Sequence, residues 1–219
     1  MPTFGFSAYL KLLSLPSRPQ RTELRNRLLP SSGSGYDFHR RFRHLAHRYL
    51  SNGELLESLM LEAAGWGGPA EGRAAADALE FLEEWREQTS GRLLAFPSKI
   101  WTSPEGLFKV KFTPDFGIEI DGVSVAVHIW KTKRPPLDAR MTYTALALFT
   151  DQYGSEVGAP QDLAVLSLLD GRLYRLSDVP DQSLLASRVA AVIENIIEQI
   201  GDDGGPPLPP SGDRPSTPG

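Results

Sequence analysis

Hydrophobic residues recur at helical spacing in the first 90 residues and alternate with polar residues from Gly91 to about residue 131. Beyond residue 131, two stretches of helical spacing flank a second alternating stretch. The clearest helix is predicted to begin after Asp37, a good N-cap, and to end at Asn52-Gly53. Its apolar stripe, at i, i+4, i+7 and i+11, consists of Phe38, Phe42, Leu45 and Tyr49. The same periodicity predicts further helices over 22–29, 54–64, 73–88, 137–152 and 182–200.

The alternating pattern predicts strands over 93–96, 99–102, 107–113, 116–120, 123–131, 163–168 and 173–176. Asp121-Gly122 and Asp170-Gly171 are turn sequences typical of β-hairpins, so the strands over 93–131 are expected to form an antiparallel meander. Because helical and strand-rich stretches are segregated, we predict an α+β fold with one core, in which a central mixed β-sheet is flanked by helices.

Three segments follow from this order. Residues 1–90 form an N-terminal basic and helical region, and residues 91–201 form an α/β core that ends in a helix. Residues 202–219 carry six prolines and few side chains that could build a core, so we expect a disordered Pro/Gly-rich tail.

Composition removes several classes of chemistry. The chain of 219 residues contains no cysteine, which excludes disulfides, zinc ribbons, iron–sulfur clusters and thiol nucleophiles. No stretch approaches the roughly 20 apolar residues needed to span a bilayer, so we expect no membrane partner and a cytoplasmic location. Gly-rich phosphate loops, G-x-S-x-G and H-E-x-x-H are absent from the sequence.

Charge is distributed unevenly. Residues 1–50 hold nine lysines and arginines against Glu23 and Asp37, a net charge of +7, whereas the whole chain carries −4. This asymmetry favours a polyanion or an acidic protein as partner of the N-terminal part, or else the two halves neutralise each other in the fold.

The stretch most suggestive of chemistry is 113–133, TPDFGIEIDGVSVAVHIWKTK. A Pro-Asp pair opens one strand, a tight turn follows, and the returning strand ends in a lysine. Metal-dependent phosphodiester cleavage needs such a layout, because carboxylates on adjacent strands hold Mg²⁺ and a nearby ammonium steadies the developing negative charge.

This stretch resembles the PD-(D/E)XK nuclease superfamily, in particular its RecB-like branch. Pro114-Asp115 matches the metal-binding Pro-Asp of the family, and Trp130-Lys131-Thr132 is similar to the aromatic-Lys-Thr that closes its second motif. The resemblance covers about residues 93–178. It implies a restriction-endonuclease-like fold, with Asp115 as metal ligand, Lys131 as catalytic cation and Mg²⁺ as cofactor if the site is active.

The second acid of the family is missing. Aligned through Lys131, its position holds Ile129, which cannot bind Mg²⁺. Counted across a two-residue turn, Ile120 pairs with Val123 and Asp115 with His128, so His128 takes the place of the acid. One β-bulge would return Lys131 to the Asp115 face. Asp115 and His128 alone would make a weak metal site, since imidazole suits zinc, copper or nickel better than Mg²⁺.

Basic residues supply the candidate nucleic-acid contacts. They are Arg40, Arg41 and Arg43 on the predicted helix 37–50, and Lys133 and Arg134 after the strand that ends at Lys131. His39, His44 and His47 share the helix, and they form either a solvated or phosphate-contacting face, or, with Asp115 and His128, part of a metal site.

The four tryptophans are expected in the core or at its rim, with base stacking as the alternative. Together these residues predict a PD-(D/E)XK-like protein that acts on or binds nucleic acid and whose catalysis is impaired. The alternative is a non-catalytic adaptor that uses the same fold to bind an acidic protein partner.

Overall fold

The computed structural model describes residues 1–28, 40–154 and 157–203. The helices within this part are α1 (Phe6–Leu13), α2 (Ser17–Leu28), α3 (Arg40–Asn52), α4 (Leu56–Ala64), α5 (Pro69–Gln88), α6 (Ala139–Ala147), α7 (Thr150–Tyr153) and α8 (Ser183–Asp203). The strands are β1 (Thr3–Gly5), β2 (Leu93–Leu94), β3 (Lys99–Thr102), β4 (Lys109–Phe112), β5 (Phe116–Ile120), β6 (Val123–Trp130), β7 (Asp162–Ser167) and β8 (Leu173–Arg175). Asp37, the predicted N-cap, and the predicted tail from residue 204 onward lie outside the described residues.

The strands form two sheets flanked by helices, which confirms the predicted α+β class with a central mixed sheet. The larger sheet has the order β2-β5-β6-β7-β8, and a second sheet has the order β1-β4-β3. The prediction of one meander is wrong, because β4 and β5 belong to different sheets. Pro114 lies between them and lacks the N–H that a continuous ladder would need.

The hairpin between β5 and β6 has the predicted register. Ile120 pairs with Val123 and Phe116 with Val127. The turn residues Asp121 and Gly122 both have positive φ, 52° and 79°, as a tight two-residue hairpin turn requires. The paired residues have no bulge between them, and the ladder ends at Phe116 and Val127. Just beyond this last pair, the side chains of Asp115 and His128 contact each other.

Strands β6 and β7 run parallel and are buried on both faces. This explains their nearly continuous apolar sequence, since parallel strands are normally covered on both sides. On one face, Ala126 and Trp130 pack in a core with α1, β4, α6 and α8. On the other face, Val127 and Ile129 pack in a second core with α3, α4 and α5. The prediction of a single core is therefore wrong.

The sequence pattern missed β1, a strand of three residues at the N-terminus. It pairs in parallel with β4, Phe4 facing Val110, and leads directly into α1. The predicted N-terminal region thus contributes α1 to one core and α3 to α5 to the other. Within the described residues no helix is both long and apolar enough to cross a bilayer.

Candidate functional site

Asp115 is held by the backbone of the neighbouring strand. Its N–H donates to the carbonyl of Val127 at 2.8 Å, although Val127 is the ladder partner of the next residue, Phe116. Its Oδ2 accepts the Ile129 N–H at 2.7 Å, and the residue is only 8% exposed. A buried carboxylate needs such donors to offset its loss of hydration.

His128 lies directly against this carboxylate. Its Nδ1 is 3.0 Å from Asp115 Oδ2 and 3.4 Å from the Thr113 carbonyl oxygen. Both neighbours are acceptors, so we assign a ring hydrogen to Nδ1. The ring packs edge-on against Phe6, with 5.2 Å between centroids, and is nearly inaccessible to solvent.

The other ring nitrogen contacts a residue that the sequence pattern did not single out. His128 Nε2 lies 2.7 Å from the hydroxyl oxygen of Ser7. With the hydrogen on Nδ1, Nε2 is an acceptor, so the Ser7 hydroxyl donates to it. Ser7 is in the first turn of α1 and is partly exposed. The two residues are 121 positions apart in the sequence, so no local sequence pattern indicates this contact.

A partial sequence signal for Ser7 does exist. Gly5-Phe6-Ser7 is the first half of the G-x-S-x-G pattern, in which a serine follows a strand and opens a helix. Here β1 ends at Gly5 and α1 begins at Phe6, so Ser7 stands at such a junction. Tyr9 occupies the place of the second glycine, and the full pattern is therefore not met.

Arg43 reaches the same place from α3. Its guanidinium Nη1 lies 3.5 Å from Ser7 Oγ, and its side chain is partly buried. Asp115, His128 and Arg43, three of the predicted site residues, therefore meet around Ser7. Together these atoms form a chain from carboxylate to imidazole to hydroxyl to guanidinium.

Lys131 faces the other side of the sheet. Its Nζ lies 4.1 Å from the centre of the Phe42 ring, in the core formed with α3 to α5. Burial lowers the pKa of Lys131 to about 8; nearby Glu71 opposes this shift and Arg43 adds to it. The Asp115 carboxylate and the Lys131 ammonium thus do not share a face. Lys131 is three positions after His128, an odd number, and β6 pairs with β7 one to one as far as Trp130.

The remaining predicted cations fall in three places. The Arg41 guanidinium stacks over Trp66 at 4.0 Å and lies 4.0 Å from a carboxylate oxygen of buried Glu71. Lys133 and Arg134 are exposed. Arg40 belongs to α3, but its side chain, like His39, lies outside the described part of the structure. His44 and His47 are exposed on α3, away from a metal-binding arrangement.

A cleft of about 590 Å³ opens where β6 and β7 end. Lys131, Thr132, Lys133 and Arg134 follow β6, and Leu168 and Leu169 follow β7. The opposite wall is the α5 face that contains Ala74, Asp77, Ala78 and Phe81. Crevices outside the carboxyl ends of parallel strands are a common location of ligand sites.

The residues around Asp115 do not fit a Mg²⁺ site. Asp115 Oδ2 is engaged by Ile129 N–H and His128 Nδ1–H, and the lone pair of His128 Nε2 accepts from Ser7. Ile129 is buried among apolar side chains. Across residues 1–28, 40–154 and 157–203, no group of three or more His, Asp or Glu is placed to hold a metal ion.

Comparison with known proteins identifies no family. No family model matches the chain, and no curated protein matches it significantly. Among solved structures, the crystal structure of SSO0001 aligns over 82% of this chain and 84% of that one, with 14% sequence identity and a TM-score of 0.34. A similarity at this level supports no conclusion about fold or function.

Proposed function

We propose that this protein binds nucleic acid through the cleft at the ends of β6 and β7, as a PD-(D/E)XK-like module impaired in metal-dependent cleavage. The observation that carries the proposal is the position of Lys131, Lys133 and Arg134, which immediately follow β6 and line this cleft against a single acidic residue there, Asp77. Cations grouped in a concave surface favour phosphate contacts.

The lining favours a single strand over a duplex. Phe81, Leu168 and Leu169 give the cleft an apolar surface beside the cations. Unpaired bases can pack on such a surface while phosphates contact the ammonium and guanidinium groups, whereas a duplex keeps its bases stacked inside.

Lys131 contributes to this binding through its burial. An ammonium that is already partly desolvated loses little hydration when a phosphate approaches, and the phosphate charge raises its lowered pKa. Binding is therefore expected to weaken as the pH rises through about 8, where the free protein loses the Lys131 proton.

Impairment follows from the Asp115 environment. The carboxylate that resembles the family's metal ligand is already bound to Ile129 N–H and His128, and Lys131 lies across the sheet from it. Metal-dependent hydrolysis needs carboxylates and a cation around one ion.

Fluorescence anisotropy with a labelled single-stranded oligonucleotide, over a series of salt concentrations, tests the binding. The variant Lys133→Ala/Arg134→Ala is compared with Lys111→Ala/Arg188→Ala, which removes the same charge from exposed positions on β4 and α8. Each phosphate contact contributes about 0.7 to the salt slope of single-strand binding, so we expect the cleft variant to lower the slope by about 1.4. The control is expected to leave the slope unchanged.

Equal weakening by both variants would reduce the effect to overall charge and contradict the cleft proposal. Absence of binding at low salt would contradict the nucleic-acid proposal altogether. In that case an acidic protein segment becomes the better occupant, since the same cations and apolar wall suit it.

A further inference from the structure

Three side chains form a continuous hydrogen-bonded chain at the start of α1. Asp115 Oδ2 accepts from His128 Nδ1 at 3.0 Å, and His128 Nε2 accepts from Ser7 Oγ at 2.7 Å. Carboxylate, imidazole and hydroxyl in this order, each within hydrogen-bond reach of the next, are the parts that activate a serine nucleophile. Such an arrangement is recognised by geometry and needs no particular order along the chain.

The carboxylate and the imidazole are buried and the hydroxyl is partly exposed, as catalysis by a serine nucleophile requires. Asp115 is 8% exposed and His128 is 2% exposed, so the carboxylate and the ring are held in a low-dielectric environment. Ser7 is partly exposed and is the member of the chain that solvent reaches. The packing of Phe6 and Phe112 against the ring fixes its orientation.

Two sources of hydrogen-bond donors for a developing oxyanion lie near Ser7. The first N–H groups of a helix have no carbonyl partner within it, and Ser7 stands in the first turn of α1. The Arg43 guanidinium lies 3.5 Å from Ser7 Oγ. Hydrogen-bond donors that point toward the place where negative charge develops are a main source of catalysis in acyl transfer.

From these contacts we infer that Ser7, His128 and Asp115 form a metal-independent nucleophilic site that hydrolyses esters or thioesters of anionic compounds. The negative charge of the substrate is inferred from Arg43, whose guanidinium stands beside the nucleophile. This inference uses different atoms from the cleft and does not depend on nucleic-acid binding.

The reaction consists of two transfers through Ser7. His128 Nε2 takes the hydroxyl proton as Oγ bonds to the acyl carbon, and the carbonyl electron pair moves onto oxygen. When the pair returns, the carbon–oxygen or carbon–sulfur bond to the leaving group breaks, and His128 gives that group its proton. Water then loses a proton to His128 and attacks the acyl-serine, and Ser7 Oγ departs with this proton as the carboxylic acid forms. Asp115 is the positioning residue that keeps the hydrogen on Nδ1.

The absence of cysteine from the chain allows a clean test of activation, because Ser7→Cys creates the sole thiol of the protein. A thiol paired with an imidazole and a carboxylate forms a thiolate well below its usual pKa of about 8.5. Ala8→Cys is the matched control: Ala8 is in the same turn and partly buried, and its side chain points about 100° away around the helix axis.

We expect iodoacetamide to alkylate Ser7→Cys at least tenfold faster than Ala8→Cys at slightly acid pH, with a lower midpoint in the pH profile. Adding His128→Gln to Ser7→Cys is expected to return the pH profile of alkylation to that of the Ala8→Cys control. Circular dichroism checks that this double variant folds. If it does not fold, Asp115→Asn is combined with Ser7→Cys instead, with the same expected result. A profile equal to that of Ala8→Cys would overturn the inference. A thiol slower than the control at every pH would overturn it as well, since a nucleophile must be accessible.

The native serine is tested with a fluorophosphonate probe, from which Oγ displaces fluoride while His128 takes the proton. Mass spectrometry is expected to find the adduct on Ser7, in the presence of EDTA, and Ser7→Ala is expected to abolish it. Modification of other serines at the same rate would contradict the activation of Ser7.

The substrate class is tested by comparing hydrolysis of the 4-nitrophenyl monoester of succinate with that of 4-nitrophenyl butyrate. The anionic ester is expected to react faster, and the Arg43→Gln variant is expected to lose that preference. Equal rates in the native protein would exclude the anionic class.

Discussion

The Asp115 carboxylate and the His128 imidazole contact each other at 3.0 Å across the open end of the β5–β6 hairpin, and both are buried. The sequence resemblance predicts a metal-binding role for this carboxylate. Here the carboxylate accepts hydrogen bonds from the imidazole and from the Ile129 N–H, and the other ring nitrogen of the imidazole contacts the Ser7 hydroxyl. The same aspartate therefore takes part in a hydrogen-bonded chain that needs no cation.

Replacing Asp115 by alanine is expected to destabilise the protein by about 3 kcal/mol. The change leaves the Ile129 N–H and the His128 ring buried without their acceptor. Asp115→Asn keeps an acceptor oxygen, so we expect a smaller loss of about 1 to 2 kcal/mol. Urea unfolding measures both values. A cost below 1 kcal/mol for Asp115→Ala would show that the pair contributes little to the fold.

Millimolar Mg²⁺ or Mn²⁺ is expected to leave the melting temperature unchanged and to produce no cleavage of single- or double-stranded nucleic acid. The reason is that Asp115 Oδ2 and both ring nitrogens of His128 are already engaged, and within the described residues no group of three or more His, Asp or Glu is placed to hold a metal ion. A ligand that binds the folded state must raise its stability, so thermal melting detects metal binding independently of activity. Robust cleavage that Asp115→Ala abolishes would contradict this expectation.

Lys131→Met is expected to stabilise the protein at neutral pH by about 1 kcal/mol while weakening nucleic-acid binding. The methionine keeps the apolar stem against Phe42 and removes a charge that burial disfavours. This stabilisation is set well below the free energy that corresponds to the full pKa shift of Lys131, because solvent still partly screens the ammonium.

The sign of the pH dependence follows from proton counts. The pKa of Lys131 is about 8 in the folded protein and 10.5 in the unfolded chain, so between these values the unfolded chain binds more protons. The free energy of unfolding of the native protein must then rise with pH in this window, and the advantage of Lys131→Met must shrink. Denaturant titrations at neutral pH and near pH 10 check this, and a constant difference would contradict it.

Gly117→Ala is expected to destabilise the protein by about 1 to 3 kcal/mol through overpacking. A Cβ at Gly117 would collide with the Phe96 ring and come within 2.9 Å of the Cβ of Leu94, its partner in the pairing of β2 with β5. Gly201→Ala on α8 is the control, because a Cβ there meets nothing within 4 Å and alanine favours helix. The control is expected to be neutral or stabilising, and equal effects of both changes would contradict the packing argument.

Local sequence patterns predicted much of the fold. Helical periodicity correctly indicated α3, α5 and α8, and Asp121-Gly122 correctly fixed the hairpin in which Ile120 pairs with Val123. These features depend on neighbours within a few residues, where spacing and turn chemistry act directly. The proximity of Asp115 and His128 was also predicted, because the hairpin register brings the ends of β5 and β6 together; their side chains contact each other just beyond the last pair, Phe116 and Val127.

The tertiary structure alone decided the rest. The parallel pairing of β1 with β4 brings α1, and with it Ser7, to His128 across 121 residues, and the division into two sheets gives the molecule two cores. No periodic pattern in the sequence predicts the contact between Ser7 and His128, since it depends on how apolar surfaces from distant parts of the chain pack together. The sequence by itself thus determined most of the elements and the local hairpin, while long-range burial determined the pairing of β1 and which side chains share a site.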